Sequence, residues 1–143
     1  MHPSAEAVER FYQVQRRFYT GEDVAQELRR LLTDDVVWHV PGRSSIAGEY
    51  RGTDEVLAYF AERRDIATSS FHLTPRGMLA DDERVIHFAD GDAMIDGRRR
   101  YWRTVGIFHL RGGRIAECWL LPFDQYEFDE IWSYPPPSAS RPT

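Results

Sequence analysis

At 143 residues and 42% hydrophobic, the chain suits one domain around one core, and its single cysteine, Cys118, excludes an internal disulfide. A formal charge of -5 argues against a nucleic-acid partner, which would need clustered Lys and Arg; the Arg98-Arg99-Arg100 run sits beside Asp90, Asp92 and Asp96 and reads as a solvated hairpin end. No apolar run approaches the roughly 20 residues that span a bilayer, and the N-terminus lacks a basic segment followed by an apolar one, so no membrane is expected and the cytoplasm is the expected compartment.

Apolar residues at Val8, Phe11, Tyr12, Phe18 and Tyr19 fall near helical spacing after Ser4, a candidate N-cap. Asp23 is placed to cap a second helix bearing Val24, Leu28, Leu31 and Leu32, and Thr53 a third bearing Val56, Leu57 and Phe60. In the third, Asp54 and Glu55 at the start and Arg63 and Arg64 near the end suit the helix dipole. Strands are expected over residues 36–40, 71–79, 84–95, 98–110 and 114–121, with Asp96-Gly97 and Gly112-Gly113 as hairpin turns that need positive φ. Pro75 marks an edge or a bulge. Three N-terminal helices on a curved, mostly antiparallel sheet make an α+β fold, a single domain over residues 1–134, with a disordered Pro- and Ser-rich tail over 135–143.

The hairpins predict a register. A two-residue loop at Asp96-Gly97 sets Ile86 opposite Ile107, Phe88 opposite Val105 and Asp90 opposite Arg103; the same loop at Gly112-Gly113 sets Ile107 opposite Cys118 and Val105 opposite Leu120. Ile86, Phe88, Asp90, Arg103, Val105, Ile107, His109, Ala116, Cys118 and Leu120 then share one mostly apolar face, expected to be concave and to line a cavity. His87, Trp102, Thr104, Gly106, Glu117 and Trp119 take the other face, and a one-residue bulge would invert part of this assignment.

Four segments carry a family likeness: Val36-Val37-Trp38-His39-Val40-Pro41-Gly42, Gly48-Glu49-Tyr50-Arg51-Gly52, Gly112-Gly113-Arg114-Ile115-Ala116-Glu117-Cys118-Trp119 and Pro122-Phe123-Asp124-Gln125-Tyr126. In order and spacing, from Ala5 to Trp132, they resemble the SnoaL-like branch of the NTF2-like (ketosteroid-isomerase-like) superfamily. That likeness implies a cone-shaped α+β fold, one that hosts isomerases, cyclases, hydrolases, dehydratases and plain binding modules. It also places cavity positions on Ile86, Phe88, Val105, Ile107, Cys118 and Leu120. The isomerase's chemistry does not carry over: its general base falls on Val40, its oxyanion-hole acid on or beside Val105, and its first-helix tyrosine near Val14 to Arg16.

Asp90 and Arg103 are the foremost catalytic candidates, since a carboxylate gripped by a guanidinium on an apolar face would have tuned basicity. The pair resembles the Asp and Arg set of the limonene-epoxide-hydrolase relatives; a plain cross-strand salt bridge, worth about 0.2 to 1 kcal/mol, stands beside that reading. His39 is suited to shuttle a proton or to serve as a hydrogen-bonded structural residue. Trp38, Val40, Tyr59, Phe60, Phe88, Val105, Ile107 and Leu120 are the expected substrate-binding wall, suited to a hydrophobic or aromatic small molecule. His72, His87 and His109 lack the local spacing of a metal site, so no metal is expected. With no glycine-rich nucleotide loop and no serine nucleophile elbow, no cofactor is expected either. Trp102 and Trp119 together suggest a homodimer interface, and the segment from Asp124 to Trp132 a cover for the cavity mouth or a neighbouring subunit.

These features point to a cofactor-independent enzyme that performs acid/base chemistry on a hydrophobic small molecule. The competing expectation is a non-catalytic binding or dimerisation module. Polar groups that satisfy each other would favour the second; a polar group left free inside the pocket would favour the first.

Overall fold

The computed structural model describes residues 2–133, so the expected tail lies outside the described residues. Helix α1 (Pro3–Tyr19) buries Val8, Phe11, Val14 and Phe18 along one stripe and ends on Arg16 and Arg17. The short α2 (Ala25–Leu31) anchors itself through Leu28, and α3 (Thr53–Ile66) through Val56, Leu57, Tyr59, Phe60 and Arg63. The expected caps are corrected: the N-cap positions are His2, Val24 and Gly52, none with a side-chain cap. Ser4 instead donates its hydroxyl to the Asp81 carbonyl at 2.6 Å, tying α1 to a distant turn.

The strands β1 (Leu32–Val40), β2 (Gly48–Arg51), β3 (His72–Ala80), β4 (Arg84–Ile95), β5 (Arg98–Arg111) and β6 (Arg114–Pro122) form one sheet in the order β2-β1-β6-β5-β4-β3. Only the β1–β6 pairing is parallel among those described. Both hairpin turns carry positive φ at each central residue, 54° and 71° at Asp96-Gly97 and 61° and 78° at Gly112-Gly113. Pro75 sits on the edge strand β3 beside a register shift between Pro75 and Gly77, where its missing N–H does no harm. A fourth helix, α4 (Gln125–Ile131), follows the last strand, with Asp124 accepting from the Glu127 N–H as its cap.

The β4–β5 register matches expectation throughout, including Ile86 with Ile107, Phe88 with Val105 and Asp90 with Arg103. The β5–β6 register does not. Leu110 pairs with Ile115 and His109 with Glu117, leaving Ala116 as an extra residue, so Phe108 rather than Ile107 meets Cys118, and Ile107 meets Trp119.

The concave assignment is therefore corrected. The face packed on the helices carries Val85, His87, Ala89, Gly91 and Ala93 from β4, Trp102, Thr104, Gly106 and Phe108 from β5, and Cys118 from β6, all buried. Ile86, Phe88, Asp90, Arg103, Val105 and Ile107 lie on the outer face, joined there by Trp119. Steric room decides this. A concave surface that receives aromatic rings needs small residues beneath them, and a Cβ on Gly91 would lie 2.2 Å from the Trp102 indole, one on Gly106 2.8 Å from the Phe108 ring. Gly91→Ala is accordingly expected to lower stability by about 1–3 kcal/mol through overpacking, read as a shifted midpoint in urea unfolding. An unchanged midpoint would mean that the indole is free to move away.

Candidate functional site

The cone interior is walled by aromatic rings from every layer. Phe11 of α1 packs on Trp38 of β1, Phe60 of α3 and Phe108 of β5 at centroid distances of 5.5, 6.0 and 6.1 Å. Of the expected binding wall, Trp38, Val40, Tyr59 and Phe60 are buried inside and Leu120 packs against the core from the same side. Phe88, Val105 and Ile107 are not brought to it. The α4 segment closes the wide end, with Trp132 against Trp102 at 5.2 Å and Phe71 at 5.8 Å, and Phe128 against Trp102 at 6.4 Å. Trp102 thereby becomes part of the inner wall, only 6% exposed, and cannot share an interface with Trp119.

Polar groups are set into this apolar interior. Arg63, one helical turn after Tyr59, is 5% exposed and donates through Nε and Nη2 to the Tyr19 hydroxyl at 2.9 and 2.5 Å. His87 is 2% exposed, and its ring stacks on Tyr12 at 4.1 Å. His87 Nδ1, Tyr59 Oη, Trp132 Nε1 and Ser44 Oγ are buried with no hydrogen-bond partner among the described residues. Unpaired buried polar atoms are costly, so a cluster of them in one small domain calls for an explanation. Burial pushes the His87 imidazole down to about 4, leaving it neutral at physiological pH. Burial pushes the Tyr12 and Tyr59 phenols and the Cys118 thiol well up, so Cys118 is an inert, buried small hydrophobe.

A groove runs along the seam between α1 and β3. Its volume is about 340 Å³, and it is lined by Glu9, Tyr12, Gln13 and Arg16 of α1, Pro75, Gly77 and Met78 of β3, and His87 of β4. The Pro75–Gly77 irregularity shapes its β3 side.

The expected catalytic residues lie elsewhere. Asp90 and Arg103 line an open groove of about 620 Å³ between the β4–β5 hairpin and the start of α4. Asp90 accepts from Arg76 Nε at 2.7 Å, Arg103 Nε stands 3.7 Å from its other oxygen, and Arg99 donates to Asp92 at 2.7 Å. Asp90 and Asp92 thus each accept from an arginine, while the Arg103 side chain is 70% exposed and only near Asp90. Asp90→Asn is expected to change stability by less than about 1 kcal/mol, as exposed ion pairs do, and to leave ligand affinity unchanged; calorimetry of both quantities checks this. His39 is on the outer face too. Its Nε2 lies 2.6 Å from Glu117 Oε2, and its ring stacks on Trp119 at 5.0 Å.

Arg63, His87, Tyr12 and Tyr19 were not among the expected site residues, and the structure sets them in or beside the interior. Arg63 had a signal: it continues the Val56, Tyr59, Phe60 stripe at helical spacing and so falls on the buried face. His87 had none, because alternation along β4 separates two faces without saying which is inner.

Helices closing the concave side of a curved six-stranded sheet, with polar atoms set among aromatic rings, define an NTF2-like cone. The chain belongs to the SnoaL-like domain family, whose model matches residues 8–118. Among solved structures it is similar to Bal32a from a soil-derived mobile gene cassette, at 27% identity and a TM-score of 0.84, covering 91% of this chain and 96% of that one. A putative SnoaL-like polyketide cyclase from Jannaschia sp. CCS1 superposes with a TM-score of 0.76 at 15% identity, covering 94% of each chain. TerC co-crystallised with polyporic acid gives 0.73 at 19% identity, covering 90% of this chain and 97% of that one. No curated protein matches the sequence. Among the described residues, no helix is long and apolar enough to cross a membrane, and no cluster of His, Cys, Asp or Glu is arranged to hold a metal ion.

Proposed function

We propose that this protein is an enzyme that binds a hydrophobic or aromatic small molecule at the α1–β3 seam and within the cone, and moves a proton on it, as in isomerisation, cyclisation, dehydration or epoxide opening. The observation that carries this is His87, a buried, neutral imidazole lining the seam groove, whose Nδ1 has no partner among the described residues. A neutral imidazole carries one unprotonated ring nitrogen, which can take a proton from a bound substrate. Tyr12, stacked on it, presents a protonated phenol to the same groove and is suited to donate a hydrogen bond. The cyclase-like and polyporic-acid-bound structures of this fold support an aromatic small molecule as the class of substrate.

Enolisation is the elementary step common to most of these reactions, and exchange of the α-protons of 1-tetralone in D2O measures it without knowledge of the natural substrate. The wild type should accelerate exchange, and His87→Gln should reduce that acceleration by about 10² to 10⁴ while retaining ligand affinity. Equal rates in the two proteins would remove His87 from the mechanism.

A second reading concerns assembly. Ile86, Phe88, Val105, Ile107 and Trp119 form a half-buried apolar row on the outer face, beside the exposed Leu121, which supports a homodimer through this face, with Trp119 in the interface and Trp102 outside it. Trp119→Glu should convert the dimer mass seen by light scattering to a monomer mass at micromolar concentration; a monomeric wild type would refute it.

A further inference from the structure

Arg63 carries a second and separable implication. Helix α3 ends in Arg63-Arg64, where cations ordinarily point to solvent and meet the helix dipole. Arg64 stays half-buried near the surface, lying over the Phe18 ring at 4.5 Å and 3.7 Å from Asp65. Arg63 instead turns inward. Its guanidinium sits 4.7 Å from the centroids of Tyr59 and Phe71 and 5.4 Å from that of Tyr19. No carboxylate of the described residues lies within 4.0 Å of it, although ten arginine–carboxylate ion pairs are formed elsewhere among them.

An arginine does not give up its proton in a protein, so this is a buried cation. Cation–π contact with the surrounding rings returns only part of what desolvation costs, and a buried charge ordinarily has an ionic partner. The hydrogen-bonding pattern points the same way. Two guanidinium N–H groups converge on one neutral acceptor, Tyr19 Oη, which leaves that phenol's own proton without an acceptor among the described residues. Tyr59, whose ring lies against the same guanidinium, has a hydroxyl with no hydrogen-bond partner among the described residues. Burial keeps both phenols protonated. One cation flanked by two phenolic O–H donors is a receptor for an anion.

The receptor adjoins the seam. A small void of about 10 Å³, lined by Tyr12, Arg16, Tyr19, Phe71 and Pro75 among others, shares Tyr12, Arg16 and Pro75 with the seam groove and reaches Tyr19 and Phe71, both in contact with Arg63. We propose that Arg63, with the Tyr19 and Tyr59 hydroxyls, is the binding subsite for a carboxylate carried on a flat aromatic body, so that the ligand of the cone is an aromatic carboxylic acid. The carboxylate takes the place of the Tyr19 oxygen as acceptor of the Arg63 N–H groups, and Tyr19 turns its own proton to the carboxylate. This deepens the function proposed above and rests on the cone as the ligand site, but not on any catalytic role of His87.

The test is a calorimetric comparison of 2-naphthoate with its neutral isostere 2-naphthamide. Wild type should bind the carboxylate at least tenfold more tightly than the amide. Arg63→Met should abolish that preference while the amide still binds, and Arg63→Lys, which keeps the charge without the planar fork, should retain part of it. Equal affinity of wild type for the two ligands overturns the anion subsite and leaves the cone as a ligand site intact. Binding of neither ligand overturns both proposals. A carboxylate preference that survives in Arg63→Met assigns the anion to another group and overturns the role of Arg63. The wild-type comparison decides the matter if the variants do not fold.

Discussion

Phe11→Ala should destabilise the protein by about 3–5 kcal/mol, the largest effect expected of any single core truncation, because the cavity left behind cannot collapse. Phe11 is fully buried and touches rings from α1, α3, β1 and β5, so its side chain is where the helical layer and the concave sheet meet. None of those rings can follow it without leaving its own neighbours, Trp38 packing on Phe60 at 5.1 Å and on Phe108 at 6.0 Å. A loss of this size is a large fraction of the total stability of an ordinary domain, about 5–15 kcal/mol, and urea unfolding measures it directly. A loss under about 1 kcal/mol would show that the interior repacks freely, contrary to the crowding described here.

The second large effect is on acid stability. The His87 imidazole titrates at about 4 in the folded protein, below its ordinary 6.5, because burial disfavours the charged ring. Between those values the unfolded chain binds a proton that the folded protein does not, so stability is full above pH about 6.5 and falls as the pH falls, the loss being complete below about 4. The whole window is worth about 3 kcal/mol. Carboxylates contribute their own acid limb at lower pH, among them Asp81, held at about 2 chiefly by its Arg84 hydrogen bond. The difference between wild type and His87→Phe isolates the histidine: the variant should lack the slope between pH 6.5 and 4 and keep the rest. Parallel curves would show that His87 is hydrated.

The two hairpin turns made most of the sheet legible. Asp96-Gly97 and Gly112-Gly113 admit few alternatives, and the β4–β5 register followed from the first of them residue by residue. The face was lost for a physical reason. Side-chain period in a strand is two, so the single extra residue at Ala116 moved Glu117 and Trp119 to the other side of the count, and nothing local in Arg114-Ile115-Ala116-Glu117 announces a bulge. Hydrophobicity then misled, because Ile86, Phe88, Val105 and Ile107 look more like a core than Ala89, Gly91, Ala93 and Gly106 do. On a tightly curved sheet the inner face belongs to the small residues, with the apolar volume supplied by rings from the helices and from α4. The binding wall from β1 and α3 was legible because Trp38, Val40, Tyr59 and Phe60 needed no long-range register. Arg63 was hidden by its position near a helix C-terminus, where an arginine already has a reason to be.

The central claim is that ligand chemistry belongs to the cone interior and not to the outer face, and two histidines report on the two sides. His87 lines the seam groove, and His39 lies outside against Trp119 and Glu117. The direct measurement is the ¹H–¹³C correlation spectrum of the five histidine rings during titration with 2-naphthamide, with His87 and His39 assigned by substitution. The His87 resonance should shift with ligand while that of His39 stays in place. A shift of His39 with His87 unmoved would place the ligand on the outer face and contradict this account of the site.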